Sequence, residues 1–304
     1  MKISEKPLVS IGMPLYNGNR YIKQSIQAIL HQSHANLELI ISDDSSEDNS
    51  FQILQEFTIK DTRIKLFQHK HLGSIQNFNF VLEKASGEYF IWAAQDDIHH
   101  QDFVESLLSL MLQDATVSLV MSDYRNLHTN KTYKIYEPPL FKIAACNESL
   151  EYYLKTHNLS LFYGMFRTKI LKHIGGYHVD FRPYFKSSDF LTIYKTLLAG
   201  KLGFVHRVLF YKRDTGFYTN EYSNLKQKPM SILTTHIVRY ALFPVHYIFD
   251  FMYGTMYLLC SGLRLDQKIQ AQVWLLICTA RLFGRYIIKS LQGTFIVLKR
   301  ILKL

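Results

Sequence analysis

The sequence of residues 37–46, LELIISDDSS, decides the fold class, because a short apolar segment that ends in polar residues predicts a buried strand followed by a loop. Similar segments lie at residues 8–13, 64–68 and 89–94. Apolar side chains at helical spacing predict intervening helices, the first capped by Asn19 and the others over residues 49–59 and 74–84. The order βαβαβαβ predicts an α/β fold with an open, largely parallel sheet and right-handed crossovers.

The rest of the chain divides into two parts of different character. Residues 117–121 predict a further strand, a helix is expected to begin near Asn147, and mixed α+β structure follows to about residue 211. From Lys226 onward this alternation stops and long aliphatic and aromatic helical segments follow. We therefore expect one domain over residues 1–225 and a helical C-terminal extension over residues 226–304.

Composition excludes several classes of protein. Hydrophobic residues make up 48% of the 304 residues and charged residues 20%, which is typical of a globular chain with a real core. The three scattered cysteines predict neither a disulfide framework nor a zinc site, and no apolar secretion signal begins the sequence. These features favour a reducing, cytoplasmic location.

Carboxylates at two predicted strand ends are candidate site residues. The pairs Asp43-Asp44 and Asp96-Asp97 both follow apolar strands, and ligands of such sheets bind at the carboxyl ends of the strands. Adjacent carboxylates repel each other unless a cation or hydrogen-bond donors compensate, so Asp96-Asp97 favours a divalent metal shared with phosphates. For residues 43–48, a helix start capped by Ser45 or Ser46 is an equal alternative.

Several common functional motifs are absent from the sequence. The chain has no GxGxxG, Walker A, GxSxG or HExxH pattern, which argues against dinucleotide, P-loop, serine hydrolase and metalloprotease sites. The histidine pairs His69/His71 and His99/His100 lack companion ligands, so we expect them at the surface.

Five short motifs follow one another along the first part of the chain: VSIGMPLYN at 9–17, LIISDDSS at 39–46, Gly73 with Asn77, ASGEY at 85–89, and Gln95-Asp96-Asp97. Together they resemble family 2 glycosyltransferases, which have the GT-A fold, and they cover about residues 7–125 of the chain. The family usually has Gly in place of Ser45, and Gln95-Asp96-Asp97 stands in the position of its DXD-type metal-binding motif. A weaker match continues through residues 164–167, 174–177 and 188–189 to about Arg213.

The resemblance implies a GT-A type nucleotide-diphospho-sugar transferase fold, with a mixed, mainly parallel sheet flanked by helices. Such an enzyme moves a sugar to an acceptor hydroxyl with inversion. Residues 1–100 would form the nucleotide-sugar-binding half of the catalytic domain and residues 101–225 the acceptor half. The candidate nucleotide-sugar contacts are Pro14, Tyr16, Asn17, Asp44, Asn77, Asp96 and Arg213. Asp97 would bind Mn²⁺ or Mg²⁺, and Asp189 would be the catalytic base, although a helix N-cap is the alternative role for Asp189. The QxxRW motif of processive synthases is absent, which favours single addition.

The positive charge of the chain is concentrated in the C-terminal extension. The formal net charge is +10, and residues 226–304 hold eleven Lys and Arg residues against Asp250 and Asp266, a net charge of +9. Uncharged runs at 251–263 and 269–280 are shorter than the about 20 residues that a membrane-spanning helix needs. Residues 281–303 instead place cations opposite apolar side chains, as in a helix that lies on an anionic membrane at the cytoplasmic face. Packing on the catalytic domain and a homo-oligomer contact are the alternatives.

Two further function classes remain open at the level of sequence. A basic nucleic-acid-binding protein would use the C-terminal charge, but no recognised nucleic-acid motif is present, so we expect no nucleic-acid partner. An inactive transferase-like scaffold is disfavoured by the intact Asp44, Asp97 and Asp189. The expected partners are therefore a nucleotide-diphospho-sugar donor and a glycan or lipid-linked acceptor in cell-surface glycan synthesis.

Overall fold

The computed structural model describes residues 6–134, 146–156, 158–177 and 188–213, together with part of residues 252–280. In chain order its elements are β1 (Val9–Leu15), α1 (Ile22–Leu30), β2 (Leu37–Asp43), α2 (Ser50–Lys60), β3 (Ile64–Gln68), α3 (Ser74–Glu83), β4 (Tyr89–Trp92), β5 (Ile98–His99), α4 (Phe103–Gln113), β6 (Val117–Asn126), β7 (Thr132–Tyr133), α5 (Cys146–Thr156), a 3-10 helix (Leu159–Tyr163), β8 (Met165–Arg167), α6 (Thr168–His173), α7 (Ser188–Ala199) and β9 (Lys201–Lys212). The predicted alternation of strands and helices is confirmed.

One helix start differs from its prediction. Helix α1 begins at Ile22, after a turn, and no side chain caps it, so Asn19 is not its N-cap. The Asn19 N–H instead donates to the Asp48 carboxylate at 3.0 Å. The turn after β1 is thus fixed by the loop that follows β2, a contact that the local sequence pattern does not contain.

Within the described residues, nine strands form one mixed sheet in the order β3-β2-β1-β4-β8-β6-β9-β5, with β7 beside β6. The parallel ladders are the longer ones: β1 runs along β2 over seven residue pairs, and β6 along β9 over nine. The antiparallel ladders of β4 with β8 and of β5 with β9 are short. The sheet is therefore mixed and mainly parallel, as predicted.

The core lies on both faces of the parallel strands. All seven residues of β2 are buried, as expected for a parallel strand covered by helices on each side. Gly12 in β1 allows close packing, because a Cβ there would lie 2.6 Å from the ring of Phe90. A methyl group at this position would force the two strands or the Phe90 ring to shift.

A buried carboxylate connects the N-terminal ends of the parallel strands. Glu38 in β2 accepts hydrogen bonds from the hydroxyls of Ser10 and Ser86 and from the Lys65 ammonium. Burial alone would raise its pKa, but these donors lower the pKa of Glu38 to about 2. Glu38 thus joins β1, β2, β3 and the loop before β4 through one ionised group.

The described part of the C-terminal region is helical, and its apolar side chains are partly buried and partly exposed. Leu258, Ala271 and Leu275 are buried. Other apolar side chains of the same region are exposed: Met252, Leu259, Leu265, Ile269, Val273 and Leu276. Among the described residues, no helix has the length and apolar character needed to cross a membrane. The basic stripe over residues 281–303 and the expected boundary at residue 226 lie outside the described residues.

Candidate active site

The loop after β2 is organised by the buried carboxylate of Asp43. It accepts hydrogen bonds from the hydroxyl and the backbone N–H of Ser46, while Ser45 adopts a left-handed conformation with φ of 61°. Helix α2 begins only at Ser50, whose N–H donates to Asp48 at 2.9 Å. The interpretation of Ser45 or Ser46 as a helix cap is therefore wrong. The polar stretch forms a loop at the strand end, as the segment LELIISDDSS predicted.

Asp44 links this strand end to the loop before α3. Its buried carboxylate accepts hydrogen bonds from the N–H groups of Leu72 and Gly73, the latter at 3.0 Å. His71 Nδ1 lies 3.2 Å from Asp44 Oδ2, and the His71 ring lies 5.5 Å from the ring of Tyr16. Asp44, His71 and Tyr16 thus form a polar and aromatic cluster where β1 and β2 end. His71 is exposed, as predicted, but it pairs with Asp44.

The other candidates near β1 hold the same strand ends together. Pro14 pairs with Ser42 in the register of β1 and β2. Asn17 has a φ of 49°, and its side-chain Oδ1 accepts a hydrogen bond from the Glu47 N–H at 2.9 Å. Asn77 is buried in α3 and donates from Nδ2 to the carbonyl of Ser42 at 3.1 Å. Asn77 therefore connects α3 to the ends of β1 and β2.

Gln95, which was not among the candidate site residues, connects two loops of the site. Its side-chain amide accepts from the Tyr16 N–H and donates to the Tyr16 carbonyl, both at 3.1 Å. This two-point contact joins the loop after β1 to the loop after β4. The position of Gln95 directly before Asp96-Asp97 was a signal that could have identified it.

Asp96, Asp97 and Arg213 come together where β5 pairs with β9. The pairing of Ile98 with Tyr211 brings the end of β9 to the acid pair. The Arg213 N–H donates to Asp97 Oδ1 at 2.7 Å, and its guanidinium donates to the Asp96 carbonyl at 2.6 Å. Arg213 also stacks on Tyr21, with its guanidinium carbon 4.4 Å from the ring centroid. The structure thus places Arg213 beside the acids.

The acid pair is a chemically suitable partial site for a hard divalent cation. Asp97 is 1% exposed, and burial followed by the negative charge of Asp96 raises the pKa of Asp97 to about 8. Within the described ranges no group of three or more His, Cys, Asp or Glu side chains surrounds a common point. Mg²⁺-like ions need only one or two carboxylates when phosphate oxygens complete the shell, so the donor set fits an ion bound together with a diphosphate.

Asp189 lies in the first turn of α7 and is held by a tyrosine. The Tyr177 hydroxyl donates to Asp189 Oδ1 at 2.8 Å. A carboxylate in the first turn also interacts favourably with the positive end of the helix dipole. Because α7 begins at Ser188, Asp189 lies inside the first turn and not at the N-cap position, so the N-cap alternative is wrong.

Tyr163 packs against Phe210 near the end of β9. Burial, followed by the charges of Asp189, Asp97 and Asp96, raises the pKa of its phenol well above the ordinary value. Its ring stacks on Phe210 with centroids 5.7 Å apart. The phenol therefore lies within electrostatic reach of all three carboxylates. No sequence motif marked Tyr163.

His99 corrects one prediction about the histidines. It is 5% exposed and contacts Phe103 and Phe210, so its expected surface position is wrong. Burial lowers the pKa of His99 to about 4, which keeps its ring neutral. The cause is the pairing of β5 with β9, which covers this residue.

Comparison with known proteins identifies the fold and the sequence family. The model of glycosyl transferase family 2 matches residues 10–175, which is more than half of the chain. An uncharacterized glycosyltransferase of Haemophilus influenzae is 37% identical over 147 residues, covering 48% of this chain and 56% of the relative. The Escherichia coli protein WfgD, a UDP-Glc:α-D-GlcNAc-diphosphoundecaprenol β-1,3-glucosyltransferase, is 36% identical over 125 residues, covering 40% of this chain and 48% of WfgD. The chain spans about half the length of the curated relatives it matches.

Solved structures agree with the fold at lower sequence identity. TarS 1-349 of S. aureus in complex with UDP-GlcNAc has a TM-score of 0.67 at 17% identity, over 88% of this chain and 71% of TarS 1-349. The mannosyltransferase PcManGT of Pyrobaculum calidifontis, in complex with GDP-Man and Mn²⁺, has a TM-score of 0.53 at 13% identity, over 98% and 87%. The likeness confirms the predicted GT-A type fold.

Proposed function

The chain belongs to glycosyl transferase family 2, and we propose that it transfers a single sugar from a nucleotide-diphosphate donor to an acceptor hydroxyl with inversion. The observation that carries this proposal is the contact of Arg213 with the acid pair, in which the Arg213 N–H donates to Asp97 Oδ1 at 2.7 Å and its guanidinium donates to the Asp96 carbonyl at 2.6 Å. A cation from the end of β9 and two acids from the loop after β4 thus lie together at the sheet edge, where ligands of such sheets bind. We assign this catalytic arrangement to residues 1–225.

The donor nucleoside would bind where β1 and β2 end. Tyr16 and His71 offer aromatic faces there, and Asp44 lies beside them as a hydrogen-bond acceptor. Pro14, Asn17 and Asn77 shape this pocket through the strand ends. Arg213 lies next to the acid pair and would interact with the donor diphosphate.

The acid pair would hold Mn²⁺ or Mg²⁺ in the presence of the donor, with Asp97 as ligand and Asp96 adding negative charge. Bound there, the ion would offset the charge that develops on the leaving nucleoside diphosphate. PcManGT, which was solved with GDP-Man and Mn²⁺, supports this choice of ion. The buried Asp97 would then remain ionised because its charge is compensated.

Asp189 would act as the general base. Its carboxylate takes the proton of the acceptor hydroxyl while that oxygen attacks the anomeric carbon and the bond from this carbon to the diphosphate oxygen breaks. The sugar would lie between Asp189 and the acid pair. Attack on the face opposite the diphosphate inverts the anomeric centre.

The acceptor would belong to cell-surface glycan synthesis. WfgD acts on a diphosphoundecaprenol-linked sugar, and this chain shares 36% identity with it over 125 residues. We propose a glycan or lipid-linked acceptor and a peripheral position on the cytoplasmic face of the membrane. The net charge of +9 over residues 226–304 and the exposed apolar side chains between Met252 and Leu276 support attachment to anionic lipid.

Donor binding can be tested with the full chain by thermal shift. UDP-glucose, UDP-GlcNAc and GDP-mannose are each added with and without MnCl₂, and the right donor should raise the unfolding midpoint only when the metal is present. Asp97→Ala should lose this metal-dependent rise while it keeps its own midpoint. A shift with duplex DNA and none with any nucleotide sugar would instead favour a nucleic-acid-binding protein.

Transfer is then measured as UDP release from UDP-glucose, with GlcNAc-diphosphoundecaprenol as the acceptor probe. We expect acceptor-dependent release in the wild type, retained donor binding in Asp189→Asn, and loss of transfer in both Asp97→Ala and Asp189→Asn. Turnover retained in either variant would contradict its assigned role. Sedimentation with vesicles of anionic or neutral lipid, at low and high salt, tests attachment, which should require anionic lipid and weaken with salt.

A further inference from the structure

We propose that Tyr177 is a positioning residue that fixes the Asp189 carboxylate relative to the donor-binding half of the protein. This inference rests on the proposed role of Asp189 as the base. The feature that carries it is the direct hydrogen bond from the Tyr177 hydroxyl to Asp189 Oδ1, 2.8 Å long.

The Tyr177 ring is held by aromatic packing. It stacks on Phe78 with centroids 4.8 Å apart and an interplanar angle of 27°, and it contacts Phe162 at 5.2 Å. Phe162 in turn stacks on the fully buried Trp92. A ring fixed in this way fixes the direction of its hydroxyl, and hence the carboxylate oxygen that receives the hydrogen bond.

The backbone of Tyr177 is held separately by one side chain of α3. Asn79 Oδ1 accepts from the Tyr177 N–H at 2.7 Å, and Asn79 Nδ2 donates to the Tyr177 carbonyl at 2.8 Å. This approach requires glycine before the tyrosine, because Gly176 has a φ of +71° and a Cβ there would lie 2.4 Å from Asn79 Oδ1. Ring and backbone of Tyr177 are thus both determined by contacts with α3.

Helix α3 also organises the donor pocket. The N–H of Gly73, just before the helix, donates to the Asp44 carboxylate, and Asn77 bonds to the carbonyls at the ends of β1 and β2. One helix therefore contacts both the proposed nucleoside site and, through Asn79 and Tyr177, the proposed base. The position of Asp189 is set relative to the donor rather than by α7 alone.

The hydrogen bond matters for proton transfer in two ways. It restricts rotation of the carboxylate, which must lie within hydrogen-bond reach of the acceptor hydroxyl. It also stabilises the ionised form, which is the form able to accept a proton. The charge of Asp189 contributes to the raised pKa of the Tyr163 phenol, so Tyr163 is a second titratable group near this carboxylate.

The test compares Tyr177→Phe with Tyr194→Phe in the full-length chain. Tyr177→Phe removes only the hydroxyl and keeps the ring packing. Tyr194 is the matched control, because its buried hydroxyl on the same helix as Asp189 has no hydrogen-bond partner in the part of the chain that the structure describes. In the UDP-glucose transfer assay, we expect Tyr177→Phe to lower kcat about tenfold and to change the donor KM by less than about twofold, since only a hydrogen bond to a charged group is lost. The control should match the wild type in kcat, in donor KM and in thermal midpoint.

Two results would overturn the proposal. One is a wild-type kcat in Tyr177→Phe. The other is a joint loss of kcat, donor affinity and thermal midpoint, which would mean that the hydroxyl supports packing rather than the position of the base.

A second measurement does not depend on the acceptor. The carboxyl carbons of ¹³C-labelled Asp are titrated by NMR, and the Asp189 resonance is assigned with Asp189→Asn. Tyr177→Phe should raise the pKa of Asp189 and Tyr194→Phe should not, and an unchanged pKa in Tyr177→Phe would overturn the proposal. If the wild type does not transfer glucose to the acceptor probe, the choice of substrates fails, while this titration still decides whether Tyr177 controls Asp189.

Discussion

Replacing Glu38 by glutamine should destabilise the protein by an amount that depends on pH. Glu38 is 4% exposed, and its pKa falls from 4.5 to about 2 on folding. A difference of about 2.5 units corresponds to about 3 kcal/mol, at about 1.4 kcal/mol per unit. Because the folded-state pKa is depressed, this stabilisation is fully present above pH 4.5 and is lost as the pH falls toward 2.

The measurement is the free energy of unfolding in urea, followed by tryptophan fluorescence, for wild type and Glu38→Gln. The difference should be about 3 kcal/mol at pH 7 and about 2 kcal/mol at pH 3.5, since part of the charge-dependent stabilisation has been lost there. Glu83→Gln is the control, because the Glu83 side chain is 72% exposed where it pairs with Lys84, and surface pairs contribute about 0–1 kcal/mol. Equal free energies of unfolding for Glu38→Gln and wild type at pH 7 would refute the reasoning. So would a difference between them that is as large at pH 3.5 as at pH 7.

Two further substitutions test how the sheet and the site are held together. Arg167→Met should lower the free energy of unfolding by about 3 kcal/mol, because the Arg167 guanidinium donates to the carbonyls of Val117 and Met111 at 2.7 and 2.8 Å and both carbonyls would lose this donor. Urea unfolding measures the loss, and a change below about 0.5 kcal/mol would contradict the prediction. Gln95→Ala should weaken donor binding by about tenfold, since both hydrogen bonds to the Tyr16 backbone disappear. Isothermal titration with the donor found by thermal shift measures this effect, and unchanged affinity would mean that the loop after β1 keeps its position without Gln95.

Much of the parallel half was predictable from the sequence. The strands β1 to β4 are short apolar segments whose polar residues begin where each strand ends, so Asp44, Asp96 and Asp97 could be placed at one sheet edge from their neighbours alone. Arg213 was chosen from the resemblance, and the structure places it beside the acids. The cap assigned to Asn19 was wrong because α1 begins only at Ile22, and the backbone N–H of Asn19 donates to Asp48 in the loop after β2.

The sequence by itself determined the strand and helix order and the location of acidic strand ends, because these depend on periodicity and on residues that are neighbours in the chain. Only the tertiary structure decided that Arg213 contacts Asp97, that His99 is buried, and that Tyr177 reaches Asp189. The contact of Arg213 and the burial of His99 depend on the short antiparallel pairing of β5 with β9. The position of Tyr177 depends on its hydrogen bonds with Asn79, which lies 98 residues earlier in the chain. Such contacts join segments that are far apart in sequence, and their register is set by packing in three dimensions, which no local pattern specifies.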